Sequence, residues 1–293
     1  MQKGDLITEK QNDYELIDSG EGEKLEKFGS IVLRRPEAQA IWSKSLGENV
    51  WAAADAVFSR TGAAGAWKIN TIENPERLSV DISGLAFNLK LLPSKHTGVF
   101  PEQSSHWSWL EEKISKHVEK GRNIEVLNLF AYTGGATMAC LRAGAAVCHV
   151  DASKFAVDLT DKNLKLNNLR EKPVRLIVDD VRKFVEREIK RGKKYDIVLL
   201  DPPVYGKGVK NEVWKIEEDL APFLKKIKKI LSPNPVAVIL NGYSSVYSHK
   251  TYLQVLGGAL EGIEGGLSSG ELFIKQSESN KLLPSGIYAR FEN

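Results

Sequence analysis

The chain has 293 residues, of which 42% are hydrophobic and 27% are charged, the mixture of an ordinary globular protein. Its 41 basic and 38 acidic residues leave a net charge of +3, which is too small to predict a nucleic-acid binder from bulk charge alone. No run of about 18 apolar residues occurs, so we expect no membrane span. The first ten residues lack an apolar stretch, so we expect no signal peptide.

The two cysteines, Cys140 and Cys148, are too few for a disulfide framework or a cysteine-based zinc site. This usage is typical of a reducing compartment, and we predict a cytoplasmic protein. The five histidines show no metal-ligand spacing, so we expect no metal. None of these features bears on the oligomeric state.

Residues 1–103 are predicted to form a small, mostly β subdomain. Pro36 is predicted to open a short helix that runs through Trp42, because proline is favoured at the first position of a helix. Its strands are predicted at 14–18, 31–33, 77–82 and 85–92, the last two around the turn Ser83-Gly84.

Residues 104–293 are predicted to form a second domain, which opens with an amphipathic helix at 107–119. Its strands are predicted at 124–131, 146–151, 174–179, 195–200 and 236–241, with a closing pair at 271–276 and 287–291. Helices are predicted at 135–143, 181–191 and 249–257, after Ser153 as an N-cap, and within 212–231. Apolar strands that alternate with helices predict a doubly wound, mostly parallel α/β sheet. Ligands of such sheets bind at the carboxyl ends of the strands.

The turn after the first of these strands reads Phe130-Ala131-Tyr132-Thr133-Gly134-Gly135. Two glycines let the backbone turn sharply and approach a ligand closely, and the helix start offers free N–H groups. A tight strand-to-helix turn without a ligand would also explain them. The spacing differs from GxGxxG, which disfavours NAD or FAD.

Acidic residues follow the second and third strands. Asp151-Ala152-Ser153 begins with a carboxylate where nucleoside-binding sheets hold a ribose diol; a carboxylate favoured by the helix dipole is the alternative. In Asp179-Asp180, one aspartate can accept from an adenine amino group while the other caps the helix. We favour the adenine role for Asp180, with helix capping by both as the alternative.

The fourth strand ends in Asp201-Pro202-Pro203, the most specific signal in the chain. Prolines mark the end of a central strand, and an acid directly before proline is held in an extended geometry. Tyr205 can offer a stacking face for a planar base. The candidate catalytic residues are therefore Asp201, Pro202, Pro203 and Tyr205, with a rigid loop of no chemical role as the alternative.

These turns resemble the class I S-adenosylmethionine-dependent methyltransferases. More narrowly, they are similar to the bacterial 23S ribosomal RNA large-subunit methyltransferases of the cytosine-C5 and guanine-N7 kind, in a subgroup with a short β region in front. The segment 97–103, Thr-Gly-Val-Phe-Pro-Glu-Gln, also resembles a stretch of that family that borders the cofactor. The resemblance rests mainly on residues 127–135, 150–153, 179–181 and 200–203.

The resemblance implies S-adenosylmethionine as cofactor, S-adenosylhomocysteine as its product and ribosomal RNA as substrate. The turn 130–135 would wrap the methionine part, Asp151 would hold the ribose hydroxyls, and Asp180 would face the adenine amino group. Residues 201–203 would border the transferred methyl and the incoming base. Further cofactor contacts are implied for Phe100, Pro101, Gln103, Ala152, Ser153 and Asp201.

The chain departs from the cytosine-C5 members in its cysteines. Those enzymes need a cysteine nucleophile in the loop after the fourth or fifth strand. Here Cys140 falls in a predicted helix and Cys148 in a predicted strand, where both read as small core residues. Methylation of a base nitrogen is therefore favoured.

Two other functions stay open at this point: a methyltransferase of a protein or a small molecule, and a non-catalytic protein that binds the cofactor or RNA. An RNA substrate would need a basic rim, for which the candidates are Lys90, Lys95, Lys207, Lys210 and Lys215. A second lysine group, Lys225, Lys226, Lys228 and Lys229, is predicted to be the solvated face of a helix with an apolar stripe.

Overall fold

The computed structural model describes residues 4–61, 64–208, 212–243, 246–277 and 279–293. Its contacts divide the chain into two compact units. The parallel-sheet unit consists of Met1–Leu6, His106–Glu271 and Gly286–Asn293, and the β-rich unit of Ile7–Ser105 and Leu272–Ser285.

This division differs from the predicted two domains, because a segment near the C-terminus belongs to the β-rich unit. Hydrogen bonds within that unit explain the difference. Gln276 Nε2 donates to Asp18 Oδ1 at 2.7 Å, and the backbone N–H of Ser277 donates to the carbonyl of Leu16 at 2.9 Å. The main division falls after Ser105, close to the predicted boundary at 103.

The first part of the chain is mostly β-structure, as predicted. Its elements are β1 (Leu6–Thr8), β2 (Tyr14–Gly20), β3 (Glu23–Phe28), β4 (Ile31–Pro36), α1 (Glu48–Ala52), β5 (Ala56–Thr61), β6 (Ala64–Ile69), β7 (Ser79–Ile82) and β8 (Leu85–Asn88), with short 3₁₀ turns at Pro75–Arg77 and Pro101–Gln103. Among the described residues, β2 to β6 form one sheet in chain order, and β7 and β8 form a hairpin around Ser83-Gly84. Strands β1, β3, β5 and β6 and helix α1 were not predicted.

The short helix predicted from Pro36 through Trp42 is wrong. Pro36 is the last residue of β4, and the next helix begins only at Glu48. The carbonyls of this segment accept hydrogen bonds from elsewhere in the unit: Gly22 N–H donates to Ala40 at 2.8 Å, and Glu21 N–H donates to Trp42 at 2.7 Å. These hydrogen bonds pair the segment with the turn between β2 and β3.

The second part of the chain alternates strands and helices, and the elements predicted for it are confirmed with shifted ends. They are α2 (Ser104–Val118), β9 (Glu125–Leu129), α3 (Gly135–Arg142), β10 (Ala146–Asp151), α4 (Lys154–Leu166), β11 (Val174–Val178), α5 (Val181–Lys190), β12 (Ile197–Leu200), β13 (Tyr205–Lys207), β14 (Val213–Lys215), α6 (Ile216–Ile230), β15 (Ala237–Gly242), α7 (His249–Leu260), β16 (Gly266–Lys275) and β17 (Leu282–Glu292). The hairpin of β13 and β14 was not predicted, and β16 and β17 are longer than predicted.

The strand order explains where a ligand would bind. Across the described residues, eight strands form one sheet in the order β1-β16-β17-β15-β12-β9-β10-β11. Strands β9, β10, β11, β12 and β15 are parallel, and β17 runs antiparallel to β15. The chain proceeds from β9 outward to β11 and then returns to β12 on the other side of β9. The order therefore reverses between β9 and β12, which makes this the doubly wound α/β fold predicted.

Strands β12 and β15 are buried along their whole length, as expected for central strands of a covered parallel sheet. Ser153 caps α4 as predicted, since its hydroxyl accepts from the N–H of Ala156 at 3.2 Å. Within the described ranges, no helix combines the length and the apolar character needed to cross a membrane.

Candidate active site

Four parallel strands of the sheet end side by side, at the place where the strand order reverses. Leu129 of β9 is level with Val150 of β10 and with Leu200 of β12, and Leu200 is level with Leu240 of β15. The residues that follow them share one edge of the sheet, which we call the carboxyl edge: Phe130, Asp151, Asp201 and Asn241. Val178 of β11 is level with Asp151, so the ends of all four predicted strands are neighbours along this edge.

The turn after β9 is bonded directly to the acidic tip of β10. The backbone N–H of Tyr132 donates to Asp151 Oδ2, and the N–H of Ser153 donates to Oδ1, each at 2.8 Å. Burial raises the pKa of Asp151, while the two backbone donors act in the opposite direction. The carboxylate is thus held in one orientation, and each oxygen keeps a lone pair for a further donor.

Backbone strain is concentrated in this turn. Phe130 and Tyr132 have φ angles of 54° and 51°, a left-handed conformation that costs a residue other than glycine about 1–3 kcal/mol. Packing maintains it, because the Phe130 ring lies edge-on to Trp214 with ring centroids 5.0 Å apart. The Tyr132 carbonyl also accepts from Thr160 Oγ1 at 3.0 Å. Strain held in place by its surroundings is typical of functional sites.

The two glycines of the turn are required by the protein's own packing. Gly134 has a φ of 90°, and a Cβ there would lie 2.6 Å from Thr160 Cγ2. A Cβ on Gly135 would overlap the ring of Trp107. The predicted sharp turn is therefore confirmed, and a close approach to a ligand stays a prediction. Of the other residues of the turn, Ala131 and Thr133 are buried.

A buried histidine supports the turn from beneath. His149 of β10 contacts Thr137 Oγ1 through Nδ1 at 3.0 Å and Thr160 Oγ1 through Nε2 at 3.4 Å. Burial lowers the pKa of His149 to about 3, so the ring is neutral. It links α3 and α4 below the turn and is a structural residue. In the part of the chain that the structure describes, no group of three or more His, Cys, Asp or Glu side chains could hold a metal ion.

The structure gives Asp180 the role of helix cap. Its Oδ1 accepts from the backbone N–H groups of Arg182 and Lys183, at 2.9 and 3.1 Å, and the Arg182 guanidinium bonds Oδ2 at 3.2 Å. Asp179 accepts from the N–H of Asp180 and pairs with Arg187. The capping alternative thus holds for Asp180, and its contact with adenine stays a prediction.

A tryptophan that sequence reasoning missed holds the loop after β12. Trp214 of β14 donates from Nε1 to the carbonyl of Pro203 at 2.8 Å. The same ring packs against Phe130 and, at 5.7 Å, against Phe223. Trp214 therefore ties the Asp201-Pro202-Pro203 loop to the strained turn. The available signal was a lone large aromatic residue in the stretch 212–215, Glu-Val-Trp-Lys.

The loop after β12 combines a buried floor with an exposed aromatic face. Pro202 is buried and Asp201 is half-buried, whereas Pro203 is exposed and Tyr205 is 57% exposed. Two consecutive prolines restrict the backbone of this loop. The arrangement suits a rigid support beside which a flat ring could stack.

Three of the predicted cofactor contacts lie in the β-rich unit. Pro101 and Gln103 belong to a buried 3₁₀ turn, and Phe100 packs edge-on to His96 with centroids 5.2 Å apart. The structure describes the surroundings of these residues within that unit, and their contact with a cofactor stays a prediction.

The lysines predicted for a basic rim are divided between the two units. Lys207 is exposed on β13, and Lys215 pairs with Glu218 at 2.9 Å, while Lys210 lies outside the described residues. Lys90 and Lys95 lie in the β-rich unit, where each Nζ donates to a backbone carbonyl.

The lysine-rich helix α6 follows the prediction. Its apolar stripe is buried, and of its lysines Lys226 pairs with Glu186 at 2.6 Å on the outer face.

Both cysteines are core residues, as predicted. Cys140 and Cys148 are buried, and burial raises the pKa of the Cys148 thiol to about 11. Burial also raises the pKa of Cys140. Neither thiol is therefore ionised at neutral pH, and a thiolate is the form that attacks.

Comparison with known proteins agrees with this geometry. Residues 33–243 match the model of a family described as S-adenosylmethionine-dependent methyltransferase. A solved SAM-dependent methyltransferase from Agrobacterium tumefaciens is 36% identical, with a TM-score of 0.93 over 98% of this chain and 93% of that one.

Curated relatives match over shorter segments. Ribosomal RNA large subunit methyltransferase I of Aliivibrio fischeri is 29% identical over 142 residues, which are 48% of this chain and 34% of that protein. Ribosomal RNA large subunit methyltransferase K/L of Methylococcus capsulatus is 31% identical over 134 residues, which are 44% of this chain and 18% of that protein. The match thus spans about a third or less of the length of these two relatives.

Proposed function

This chain belongs to the S-adenosylmethionine-dependent methyltransferase family, and we propose that it methylates a base nitrogen of large-subunit ribosomal RNA. S-adenosylmethionine is the methyl donor, and S-adenosylhomocysteine is the product. The observation that carries the proposal is the carboxyl edge. There a strained turn is bonded to Asp151 beside a proline-stiffened loop that bears Asp201 and the exposed ring of Tyr205.

The donor set at this edge suits the chemical groups of the cofactor. Asp151 keeps one lone pair on each oxygen for the two ribose hydroxyls, after accepting from Tyr132 and Ser153. Val178, level with Asp151 in β11, is 40% exposed and offers apolar surface to a flat purine. The residues we assign to the cofactor are Phe100, Pro101, Gln103, Phe130, Ala131, Tyr132, Thr133, Gly134, Gly135, Asp151, Ala152, Ser153, Asp180 and Asp201.

The protein's task in such a transfer is mainly alignment. Bound S-adenosylmethionine supplies a methyl group activated by its sulfonium, and in-line displacement requires that the acceptor atom be held opposite the leaving sulfur. A ring nitrogen with a free lone pair needs no base. An exocyclic amine needs its N–H groups held by acceptors, which the Asp201 carboxylate and the Pro202 carbonyl can provide.

The exposed ring of Tyr205 suits an acceptor base that has left its stack. Enzymes that act on a base inside a duplex extrude it, and an aromatic side chain then stacks on the extruded base. Lys207 lies on the same short strand as Tyr205 and is exposed, so it can meet a neighbouring phosphate. Tyr205 and Lys207 thus offer a nucleotide both a stacking face for its base and a positive charge for its phosphate.

Nitrogen is favoured over carbon as the acceptor because a carbon-5 acceptor requires a covalent cysteine adduct. Both cysteines are buried, and the pKa of each thiol is raised. Ribosomal RNA is favoured because the curated relatives described above are both named as large-subunit ribosomal RNA methyltransferases.

Transfer of labelled methyl groups tests the proposal. The purified chain is incubated with methyl-tritiated S-adenosylmethionine and with either ribosomal RNA or total protein from cells that lack the gene. We expect label in the RNA, none in the protein, and much less in RNA from cells that carry the gene. Label in protein would contradict the RNA substrate, and cofactor binding without any transfer would favour a non-catalytic role. Mass spectrometry of the digested RNA then identifies the nucleotide and the atom.

A further inference from the structure

Tyr252 carries an unused hydrogen-bonding group near the carboxyl edge. It lies in α7 and is 2% exposed, and its hydroxyl makes no hydrogen bond to any residue that the structure describes. Buried hydroxyls normally have a partner, because an unmade hydrogen bond inside a protein lowers its stability. This exception therefore needs a functional explanation.

The hydroxyl lies against the backbone at the end of β15. A Cβ on Gly242 would overlap the hydroxyl oxygen of Tyr252 and lie 2.5 Å from its Cζ, so only glycine fits there. Leu240 is level with Leu200 of β12, which places this strand end next to the start of the loop at Asp201. The hydroxyl is thus at the end of two adjacent strands whose tips belong to the candidate site.

The charge of the Asp201 carboxylate influences the pKa of this hydroxyl. Burial raises the pKa of Tyr252, and the Asp201 carboxylate and Tyr247 raise it further. Tyr252 therefore keeps its proton at neutral pH and can act only as a neutral hydroxyl. The Asp201 Oδ1 atom is shielded from solvent, as is the Tyr252 hydroxyl.

We propose that Tyr252 is a positioning residue, whose hydroxyl donates a hydrogen bond to the Asp201 carboxylate in the cofactor-loaded enzyme. The inference rests on the proposed function, in which Asp201 holds the acceptor nitrogen. A hydrogen bond to an ionised group is strong and directional, so it fixes the rotation of the carboxylate. Because the hydroxyl is buried, Tyr252 acts through Asp201 and does not touch the RNA.

The variant Tyr252→Phe removes the hydroxyl and keeps the ring. Tyr195→Phe is the matched control, because that hydroxyl is also buried but already donates to Glu188 at 2.7 Å. For Tyr252→Phe we expect an unchanged or higher melting temperature and an unchanged KM for RNA. Its kcat should fall about tenfold or more, as the loss of a hydrogen bond to a charged group predicts. For Tyr195→Phe we expect a lower melting temperature and the parent kcat.

A parental kcat in Tyr252→Phe would overturn the proposal, since a ring that only fills the core is replaced fully by phenylalanine. A crystal structure of the S-adenosylhomocysteine complex decides independently of the substrate. We expect the Tyr252 hydroxyl within about 3.2 Å of an Asp201 carboxylate oxygen. A separation beyond hydrogen-bonding range would contradict the role of Tyr252, even if the acceptor is not RNA. Failure of the parent chain to methylate RNA would overturn the proposed function alone.

Discussion

Asp196 and Asp201 stand at opposite ends of β12, and their surroundings differ in kind. Asp196, just before the strand, accepts from Arg122 Nη2 at 2.5 Å, from Ser232 Oγ at 2.8 Å and from the N–H of Glu125 at 3.0 Å. Asp201, just after the strand, donates its backbone N–H to the carbonyl of Leu129 at 3.4 Å, next to the left-handed turn, and belongs to the loop that carries the exposed ring of Tyr205.

The edge of the sheet where the parallel strands begin, which we call the amino edge, stabilises the fold, whereas the carboxyl edge is suited to bind a ligand. At the amino edge, Asp196 accepts hydrogen bonds from the residues around it. These bonds hold together the starts of β9 and β12. At the carboxyl edge, backbone strain and a buried hydroxyl without a described partner remain, and both lower stability. A protein keeps such features where a ligand compensates for them, and ligands of doubly wound sheets bind at the carboxyl edge.

The largest expected effect follows Asp201→Ala. The carboxylate is proposed to hold the acceptor, so we expect kcat to fall by about 10²- to 10⁴-fold. The melting temperature should stay near that of the parent, because this side chain is not part of the amino-edge network. Steady-state methyl transfer and thermal unfolding measure the two quantities. Parental activity in this variant would remove Asp201 from the mechanism.

Asp196→Ala should give the opposite pattern. Removing a buried carboxylate leaves Arg122 and the N–H of Glu125 without their acceptor, so we expect the free energy of unfolding to fall by about 2–3 kcal/mol. The kcat of the folded fraction should equal that of the parent. Denaturant titration and methyl transfer at low temperature check this. A loss of kcat without a loss of stability would contradict a purely structural role for Asp196.

Asp151→Ala should weaken cofactor binding. The variant loses the proposed bonds to two ribose hydroxyls and the bond that holds the N–H of Tyr132, so we expect a Kd about 10- to 100-fold higher. Calorimetry with S-adenosylhomocysteine measures it. Asp158→Ala is the control, since Asp158 is an exposed carboxylate that pairs with Lys154 on the surface of α4. Equal affinity in Asp151→Ala and the parent would refute the assignment.

The smallest expected effect follows Trp214→Phe. Phenylalanine keeps an aromatic contact with Phe130 and loses the bond to the Pro203 carbonyl, worth about 1 kcal/mol. We expect a several-fold lower kcat, because the loop that carries Asp201 is held less firmly. In Trp67→Phe, the same kind of bond is lost to Leu92 in the β-rich unit, and kcat should not change. If both variants have equal kcat, Trp214 does not position the loop.

The parallel sheet was predictable because its signals are local. Strands β12 and β15 contain continuous apolar runs, and helices α4 and α7 begin at the side-chain caps Ser153 and Ser248. The β-rich unit was less predictable because its interior holds charges. Glu26 of β3 is buried against Arg35 and Tyr14, so this strand reads as polar in the sequence.

The strand tips of the candidate site were also predictable, since the residue after a parallel strand is fixed once the strand is known. Contacts between segments that are distant in the sequence could not be predicted. Trp214 and Tyr252 reach the site through a hairpin and a helix that follow much later in the chain, and no local pattern indicates where their polar atoms end.

Hydrogen exchange with and without S-adenosylhomocysteine tests most directly whether the carboxyl edge holds the cofactor and the amino edge holds the fold. Backbone amides in the turns 130–135, 151–153 and 201–206 should become protected on binding. Amides in the turns 119–124, 192–196 and 231–236, at the amino edge, should exchange as in the free protein. Protection at the amino edge without protection at 130–135 and 151–153 would contradict the account.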